Sequence, residues 1–252
     1  MSATAAEPAK RAERIRSKAC DREVLAVRWG HFGTPVLLFP TAGGDAEECE
    51  RFKMLVVLRP LVEAGRIKVY SCDSVGGKAL TERKDWPAGY FPRVQNLFDR
   101  FVAEEFVPWI REDCRTPDIG IVAAGASIGA FNAVAALCRH PEVFTKAIGM
   151  SGTYDVSKWL EKEDLDRNFY FSSPMHFLPN LGETPLLARL RERTVVLATG
   201  EGDYEDPEES RRMGRVLASR GIPHRVDLWG RERRHDWTTW REMLPRYLGE
   251  MA

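Results

Sequence analysis

The chain has 252 residues, and its 37 basic and 37 acidic side chains give a formal net charge of zero. The chain therefore has no excess of positive charge that would attract a polyanion, which argues against a dedicated nucleic-acid-binding role. Purely apolar runs such as Met54–Leu58 are far shorter than the ~20 residues that a membrane span requires. With 44% hydrophobic and 10% aromatic residues, the composition is typical of a globular domain and argues against disorder.

The N-terminal segment is rich in small and charged residues and contains no apolar stretch that could act as a secretory signal. We therefore expect a flexible leader over residues 1–20, a single domain over residues 21–252 and a cytoplasmic location. The five cysteines are widely spaced with no C-x-x-C pair, which fits reduced thiols. The histidines show neither H-x-x-x-H spacing nor a neighbouring cysteine pair, so neither a metal site nor a cofactor is predicted.

Strand-like and helix-like segments alternate along the chain. The first two strands are predicted at 22–29 and 34–39, with His31-Phe32-Gly33 turning an antiparallel hairpin between them. In chain order, later strands are expected at 67–72, 119–124, 146–150, 194–198 and 225–229, and helices at 45–64, 95–112, 128–139, 208–220 and 237–250. Residues 155–190 are irregular and aromatic, which suggests a lid-like insertion. This order predicts an α/β fold with a doubly wound, mostly parallel sheet and an antiparallel N-terminal hairpin.

The sharpest chemical signal is the pentapeptide Gly125-Ala126-Ser127-Ile128-Gly129, between an apolar strand and an alanine-rich helix. A serine at such a turn sits on a tight bend that lifts its hydroxyl above the carboxyl edge of the sheet. The bend also directs the first N–H groups of the helix to the place where an oxyanion would form. Ser127 is therefore the candidate nucleophile and the Ile128 N–H the first oxyanion-hole donor. The alternative is a glycine-rich turn with an incidental serine.

A serine nucleophile needs a base, and on folds with this turn an acid and then a histidine follow later in the chain. His235 lies between the last predicted strand and the last helix, which is the position of the base. The carboxylate that orients the imidazole should follow the strand at 194–198. Asp203 and Glu205 both fit there, and Glu201 or Asp206 are less favoured.

The loop Thr41-Ala42-Gly43-Gly44 consists of small residues that let a backbone approach a substrate closely. Its Ala42 or Gly43 N–H is the predicted second oxyanion-hole donor, and the Thr41 hydroxyl is a candidate substrate contact. Trp86 and Trp237 lie near the expected mouth of the site, where they would line an acyl or alcohol pocket. The alternative for the loop at 41–44 is a tight turn without a role in catalysis. The alternative for the two tryptophans is that they serve only packing.

Together these motifs resemble the esterase family of α/β-hydrolases that includes the S-formylglutathione hydrolases and the mycobacterial mycolyltransferases. The resemblance covers residues 20–250 and is strongest to a bacterial branch of small esterases. Besides the serine turn, it rests on the segments 39–45 (FPTAGGD), 140–144 (HPEVF), 151–155 (SGTYD), 202–207 (GDYEDP) and 235–237 (HDW). The resemblance slightly favours Glu205 over Asp203 as the acid that orients the imidazole. The cysteine-rich motifs of the formylglutathione hydrolases are absent, and the trehalose-binding aromatic residues of the mycolyltransferases have no identifiable counterparts in this sequence. The resemblance therefore does not assign a substrate to this chain.

The sequence is therefore interpreted as a serine esterase that hydrolyses a small-molecule carboxylic ester through an acyl-enzyme on Ser127, with His235 as base. One alternative is an acyltransferase that passes the acyl group to a sugar or another alcohol. The other is a catalytically silent hydrolase-fold protein that serves as a binding module. Homo-oligomerisation is left open.

Overall fold

The computed structural model describes residues 9–250. The strands are β1 (Lys10–Ser17), β2 (Arg22–Trp29), β3 (Thr34–Phe39), β4 (Ile67–Cys72), β5 (Ile121–Ala126), β6 (Phe144–Met150), β7 (Thr194–Thr199) and β8 (His224–Leu228). The α-helices are α1 (Glu48–Arg51), α2 (Met54–Glu63), α3 (Val75–Thr81), α4 (Tyr90–Phe101), α5 (Val107–Cys114), α6 (Ile128–Arg139), α7 (Arg167–Ser172), α8 (Pro174–Phe177), α9 (Pro185–Leu190), α10 (Pro207–Ser219) and α11 (Trp237–Gly249).

The strands form one sheet in the order β1-β2-β4-β3-β5-β6-β7-β8. From β4 to β8 in that order, all neighbours pair parallel, whereas β2 pairs antiparallel with both β1 and β4. Every residue of β4 and β5 is buried, as expected for parallel strands covered on both faces. The predicted doubly wound, mostly parallel sheet is confirmed.

The antiparallel N-terminal hairpin is present, but its strands are not the two that were predicted. β1 pairs with β2 from Lys10↔Trp29 to Ser17↔Arg22. β4 lies between β2 and β3, because helices α1 and α2 lead the chain back and place β4 parallel to β3. Both segments are strands as expected, but their direct pairing was predicted wrongly.

The structure also differs from the flexible leader expected over residues 1–20. Lys10–Ser17 form β1, while residues 1–8 lie outside the described range. β1 lacks apolar alternation, and its side chains are mostly exposed. It is held by the backbone ladder to β2 and by charged contacts such as Lys10 Nζ to Glu47 Oε1 at 2.7 Å. Charges on an edge strand also discourage pairing with another sheet.

Helices cover the two faces of the sheet around two buried clusters. One cluster packs α3, α4, α5, α6 and α10 on one face, and the other packs α1, α2 and α11 on the opposite face. The helix predicted at 95–112 is longer, because α4 continues through a π-helical turn at Val102–Phe106 into α5. The small residues at 73–77 lead from β4 into helix α3, which begins at Val75.

The insertion at 155–190 consists of short helices that pack into the first cluster through buried side chains. These are Phe169, Met175, Phe177, Leu178, Leu187 and Leu190. No helix within residues 9–250 combines the length and the apolar character that crossing a bilayer would require. In the same range, no group of three or more His, Cys, Asp or Glu side chains is arranged to hold a metal ion. All five cysteines are free thiols.

Candidate active site

Ser127 lies on a strained turn between β5 and α6. Its backbone has φ 57° and ψ −122°, a left-handed conformation that costs a residue with a side chain on the order of 1–3 kcal/mol. A hydrogen bond stabilises this strained conformation, because the Ser127 N–H donates to the Met150 carbonyl oxygen at 2.9 Å. The turn thus has the tight bend that the sequence pattern predicted.

Two glycines of the pentapeptide are required by packing. A Cβ on Gly125 would lie 2.3 Å from the carbonyl carbon and oxygen of Gly129. A Cβ on Gly129 would lie 2.5 Å from the Phe39 carbonyl oxygen and 2.7 Å from that of Pro40. The missing side chains therefore allow α6 to start directly against β5 and against the end of β3, which brings the loop after β3 next to Ser127.

That loop and the start of α6 supply the candidate oxyanion-hole donors. Ile128 is the first residue of α6, where backbone N–H groups have no intrahelical partner. In the loop after β3, Gly43 is exposed, and nothing lies within 4 Å of the position that its Cβ would take. Ala42 packs partly into the first buried cluster.

Thr41 has a different role from the substrate contact that was predicted. Its N–H donates to Glu48 Oε2 at 2.8 Å and its hydroxyl to Glu48 Oε1 at 2.5 Å. Because the Thr41 hydroxyl gives its one proton to this buried carboxylate, that proton is not available to a substrate. Gly44 makes room for the contact, since a Cβ there would lie 2.4 Å from Glu48 Oε2. Glu48 therefore fixes the loop, a role that the sequence did not signal.

His235 and Glu205 are brought together beyond the ends of β7 and β8. His235 Nδ1 lies 3.7 Å from Glu205 Oε2. The Glu205 side chain is 1% exposed and that of His235 is 25% exposed, so the imidazole reaches the surface while the carboxylate does not. A buried carboxylate beside one imidazole nitrogen can fix the ring's tautomer and stabilise its protonated form.

Asp203, the other candidate acid, points away from His235. Its side chain is 63% exposed and pairs with Arg234 Nε at 3.3 Å. Its carbonyl oxygen accepts the His235 N–H at 3.1 Å, so Asp203 contributes to the loop through its backbone. Backbone bonds from Gly202 to Arg233 (2.9 Å) and from Glu201 to Gly230 (3.0 Å) tie the same two loops together.

Three further residues contact this pair and were not predicted. The Ser151 hydroxyl donates to Glu205 Oε1 at 2.5 Å, and the Thr199 hydroxyl donates to Glu205 Oε2 at 3.1 Å. Trp240 Nε1 donates to Ser151 Oγ at 2.9 Å. Ser151 and Thr199 stand at the carboxyl ends of β6 and β7, so their position at this edge was one available signal. Ser151 also opens the segment 151–155 on which the family resemblance rests.

The segment after β6 is anchored where the predicted insertion begins. Glu209 of α10 is buried and accepts the backbone N–H groups of Tyr154 and Asp155, both at 2.8 Å. Burial works against the charged form of Asp155, but hydrogen bonds from Ser157 and Arg212 outweigh it and lower its pKa. These contacts fix the first residues of the insertion to the body of the protein.

Comparisons with known proteins identify the family. The family model described as "Putative esterase" matches residues 73–250. The chain belongs to this esterase family. Among solved structures, a ferulic acid esterase is 18% identical with a TM-score of 0.73, covering 96% of each chain. The S-formylglutathione hydrolase of Agrobacterium tumefaciens is 15% identical with a TM-score of 0.75, covering 98% of this chain and 95% of that one.

MPT51 of Mycobacterium tuberculosis is 18% identical with a TM-score of 0.72, covering 96% of this chain and 97% of the other. At such identities these likenesses show the α/β-hydrolase fold alone. The comparison with curated proteins gives no match. The resemblance stated from the sequence is confirmed, and the protein is a serine hydrolase of the esterase type.

The two tryptophans expected to line the esterase's pocket lie in different surroundings. Trp237 begins α11, two residues after His235, and stacks on Phe52 with ring centroids 5.0 Å apart. Trp86 stacks on Tyr90 at 4.4 Å and lines a cavity of about 330 Å³ together with Cys20 of the β1–β2 turn and Arg22 of β2. Trp237 is therefore near the histidine in the chain, whereas Trp86 lines a cavity at the N-terminal hairpin.

Proposed function

We propose that the protein hydrolyses a carboxylic ester with Ser127 as nucleophile, His235 as general base and Glu205 as the acid that orients the imidazole. The observation that carries the proposal is the buried Glu205 carboxylate 3.7 Å from His235 Nδ1, on loops that follow β7 and β8, which lie two and three strands from β5 in the same sheet. The exposed, arginine-paired side chain of Asp203 disfavours the other acid.

In the proposed reaction, His235 takes the Ser127 hydroxyl proton as the oxygen attacks the ester carbonyl. The oxyanion that forms would be held by the Ile128 N–H and by the Ala42 or Gly43 N–H, on a loop fixed by Glu48. His235 then gives its proton to the departing alcohol, which leaves an acyl-enzyme. The same histidine activates water, and hydrolysis releases the acid and restores Ser127.

The proposal also covers the substrate contacts, the lid and the cellular location. The stacked pair of Trp237 and Phe52 is a candidate aromatic contact for the acyl or alcohol group of a small-molecule ester. The insertion at 155–190 is the candidate lid. Five free thiols fit a cytoplasmic location, which we also propose.

The test is a chain-length series of p-nitrophenyl esters on the wild type and on Ser127→Ala. We expect Ser127→Ala to lose at least ~10³-fold in kcat, as other enzymes do when a member of their triad is removed. Product analysis with and without an added alcohol separates hydrolysis from acyl transfer. Turnover retained by Ser127→Ala would refute the mechanism. A wild-type protein that folds but hydrolyses none of the esters would favour a binding module.

A further inference from the structure

We propose that Ser151 and Trp240 form a positioning pair that holds the Glu205 carboxylate in place for its contact with His235. The inference rests on the proposed function, because it assigns a role to residues that act through Glu205. Neither residue touches the ester itself, so both are positioning residues.

The direction of the hydrogen bonds is fixed by the chemistry of the donors. The Trp240 indole N–H can only donate, and it points at Ser151 Oγ at 2.9 Å. Ser151 therefore accepts from Trp240 and directs its single proton to Glu205 Oε1 at 2.5 Å. A chain of bonds polarised in one direction strengthens each member, and it ends here on a carboxylate.

The backbone and the packing hold both residues in place. Ser151 is buried and has φ 45°, a conformation that residues with side chains rarely adopt. Its N–H donates to the Ala198 carbonyl oxygen at 2.7 Å, which ties the strained residue to β7. The Trp240 ring packs edge-on against the His235 ring, with centroids 5.2 Å apart and an interplanar angle of 84°. Trp240 thus contacts the histidine and orients the serine at the same time.

Burial explains why such a pair matters. Among the ion pairs of the described residues, His235 is the basic partner of Glu205, and neither a lysine nor an arginine shares its carboxylate. A carboxylate out of water needs donors to remain charged. The hydroxyls of Ser151 and Thr199 serve one oxygen each. Loss of the Ser151 donor would leave Glu205 Oε1 without this hydrogen bond and would free the side chain to turn from His235.

The experiment compares Ser151→Ala and Trp240→Phe with the wild type in kcat and in KM for a p-nitrophenyl ester. Trp240→Phe keeps an aromatic ring against His235 and removes only the N–H donor. Trp229→Phe is the matched control, because its indole also donates to a hydroxyl, that of Tyr247 at 2.6 Å, away from Glu205. Thermal unfolding of each variant is recorded in parallel.

We expect Ser151→Ala to lose about tenfold in kcat, because a hydrogen bond to a charged group is lost. Trp240→Phe should lose about threefold, because it removes only the neutral bond that directs the Ser151 proton to Glu205. KM should change little in both variants, because neither residue touches the ester. The double variant should be little worse than Ser151→Ala alone, because both changes break one chain of bonds. Trp229→Phe should keep the wild-type kcat and KM.

A wild-type kcat in Ser151→Ala and Trp240→Phe, with Ser127→Ala inactive, would overturn the positioning pair and leave the proposed function standing. An activity loss that only parallels a loss of folded protein, with kcat per folded molecule unchanged, would also overturn it. Turnover in Ser127→Ala would instead refute the proposed function, and the pair with it.

Discussion

Replacing Glu205 by glutamine tests the assignment of the acid, because the substitution keeps the shape and removes the charge. In the structure, the Ser151 hydroxyl and the Thr199 hydroxyl each donate to one Glu205 oxygen, and His235 Nδ1 lies 3.7 Å from Oε2. A glutamine offers one acceptor oxygen and one NH₂ group. At least one donor would therefore face another donor, and the imidazolium would lose its counter-charge.

The corresponding aspartate-to-asparagine change in a serine protease lowers kcat about 10⁴-fold. We expect Glu205→Gln to lose about 10³- to 10⁴-fold in kcat, which equals about 4–5.5 kcal/mol of transition-state stabilisation. Asp203→Asn should lose less than about threefold, because exposed ion pairs contribute only about 0.2–1 kcal/mol. Asp203 is the matched control, since it lies two residues away on the same loop.

The assay is steady-state hydrolysis of the best p-nitrophenyl ester at pH 7–8, with circular dichroism to show that both variants fold. Equal losses in the two variants would contradict the geometry, in which only Glu205 approaches the imidazole. A Glu205→Gln enzyme with more than about a tenth of wild-type kcat would refute the reasoning that a buried counter-charge is required.

Three further outcomes follow from single contacts. Gly129→Ala places a methyl group 2.5 Å from the Phe39 carbonyl oxygen, so it should melt at least about 5 °C lower in a thermal scan, whereas Gly43→Ala, in open space, should melt within about 2 °C of the wild type. Glu48→Gln removes one acceptor for Thr41 and should lower kcat about tenfold with KM little changed in the ester assay; an unchanged kcat would count against a fixed loop. Burial raises the pKa of Cys138 to about 12, so its thiolate is scarce at pH 8, and Ellman's reagent should modify it only after unfolding in guanidinium; rapid labelling of the native protein would contradict this.

Patterns within a short stretch of chain made much of the fold predictable. The apolar strand, the G-x-S-x-G turn and the alanine-rich helix are contiguous in sequence, and the structure has β5, Ser127 and α6 at those places. The parallel sheet was also predictable, because the alternation of strands and helices is visible along the sequence. β1 was missed because its eight residues, KRAERIRS, carry charge where a strand usually alternates. Its stability comes from pairing with β2, which no local pattern reveals.

The contacts around the candidate acid depend on residues far apart in the chain. Asp203 and Glu205 share a loop and a charge, and only the folding of that loop against residues 230–235 buries one and exposes the other. Ser151 and Trp240 are separated by 89 positions, and their hydrogen bond has no counterpart in sequence spacing. The Thr41 hydroxyl was predicted to face substrate because the buried position of Glu48 could not be foreseen.

The central claim is that the Ser127 hydroxyl is activated by His235. Reaction with a fluorophosphonate, followed by peptide mapping, tests it most directly, because this reagent captures an activated serine covalently. We expect one adduct per chain on the peptide that carries Ser127, and no adduct in His235→Ala. A folded, ester-hydrolysing protein whose adduct maps to another residue, or whose Ser127 reacts equally well without His235, would contradict it.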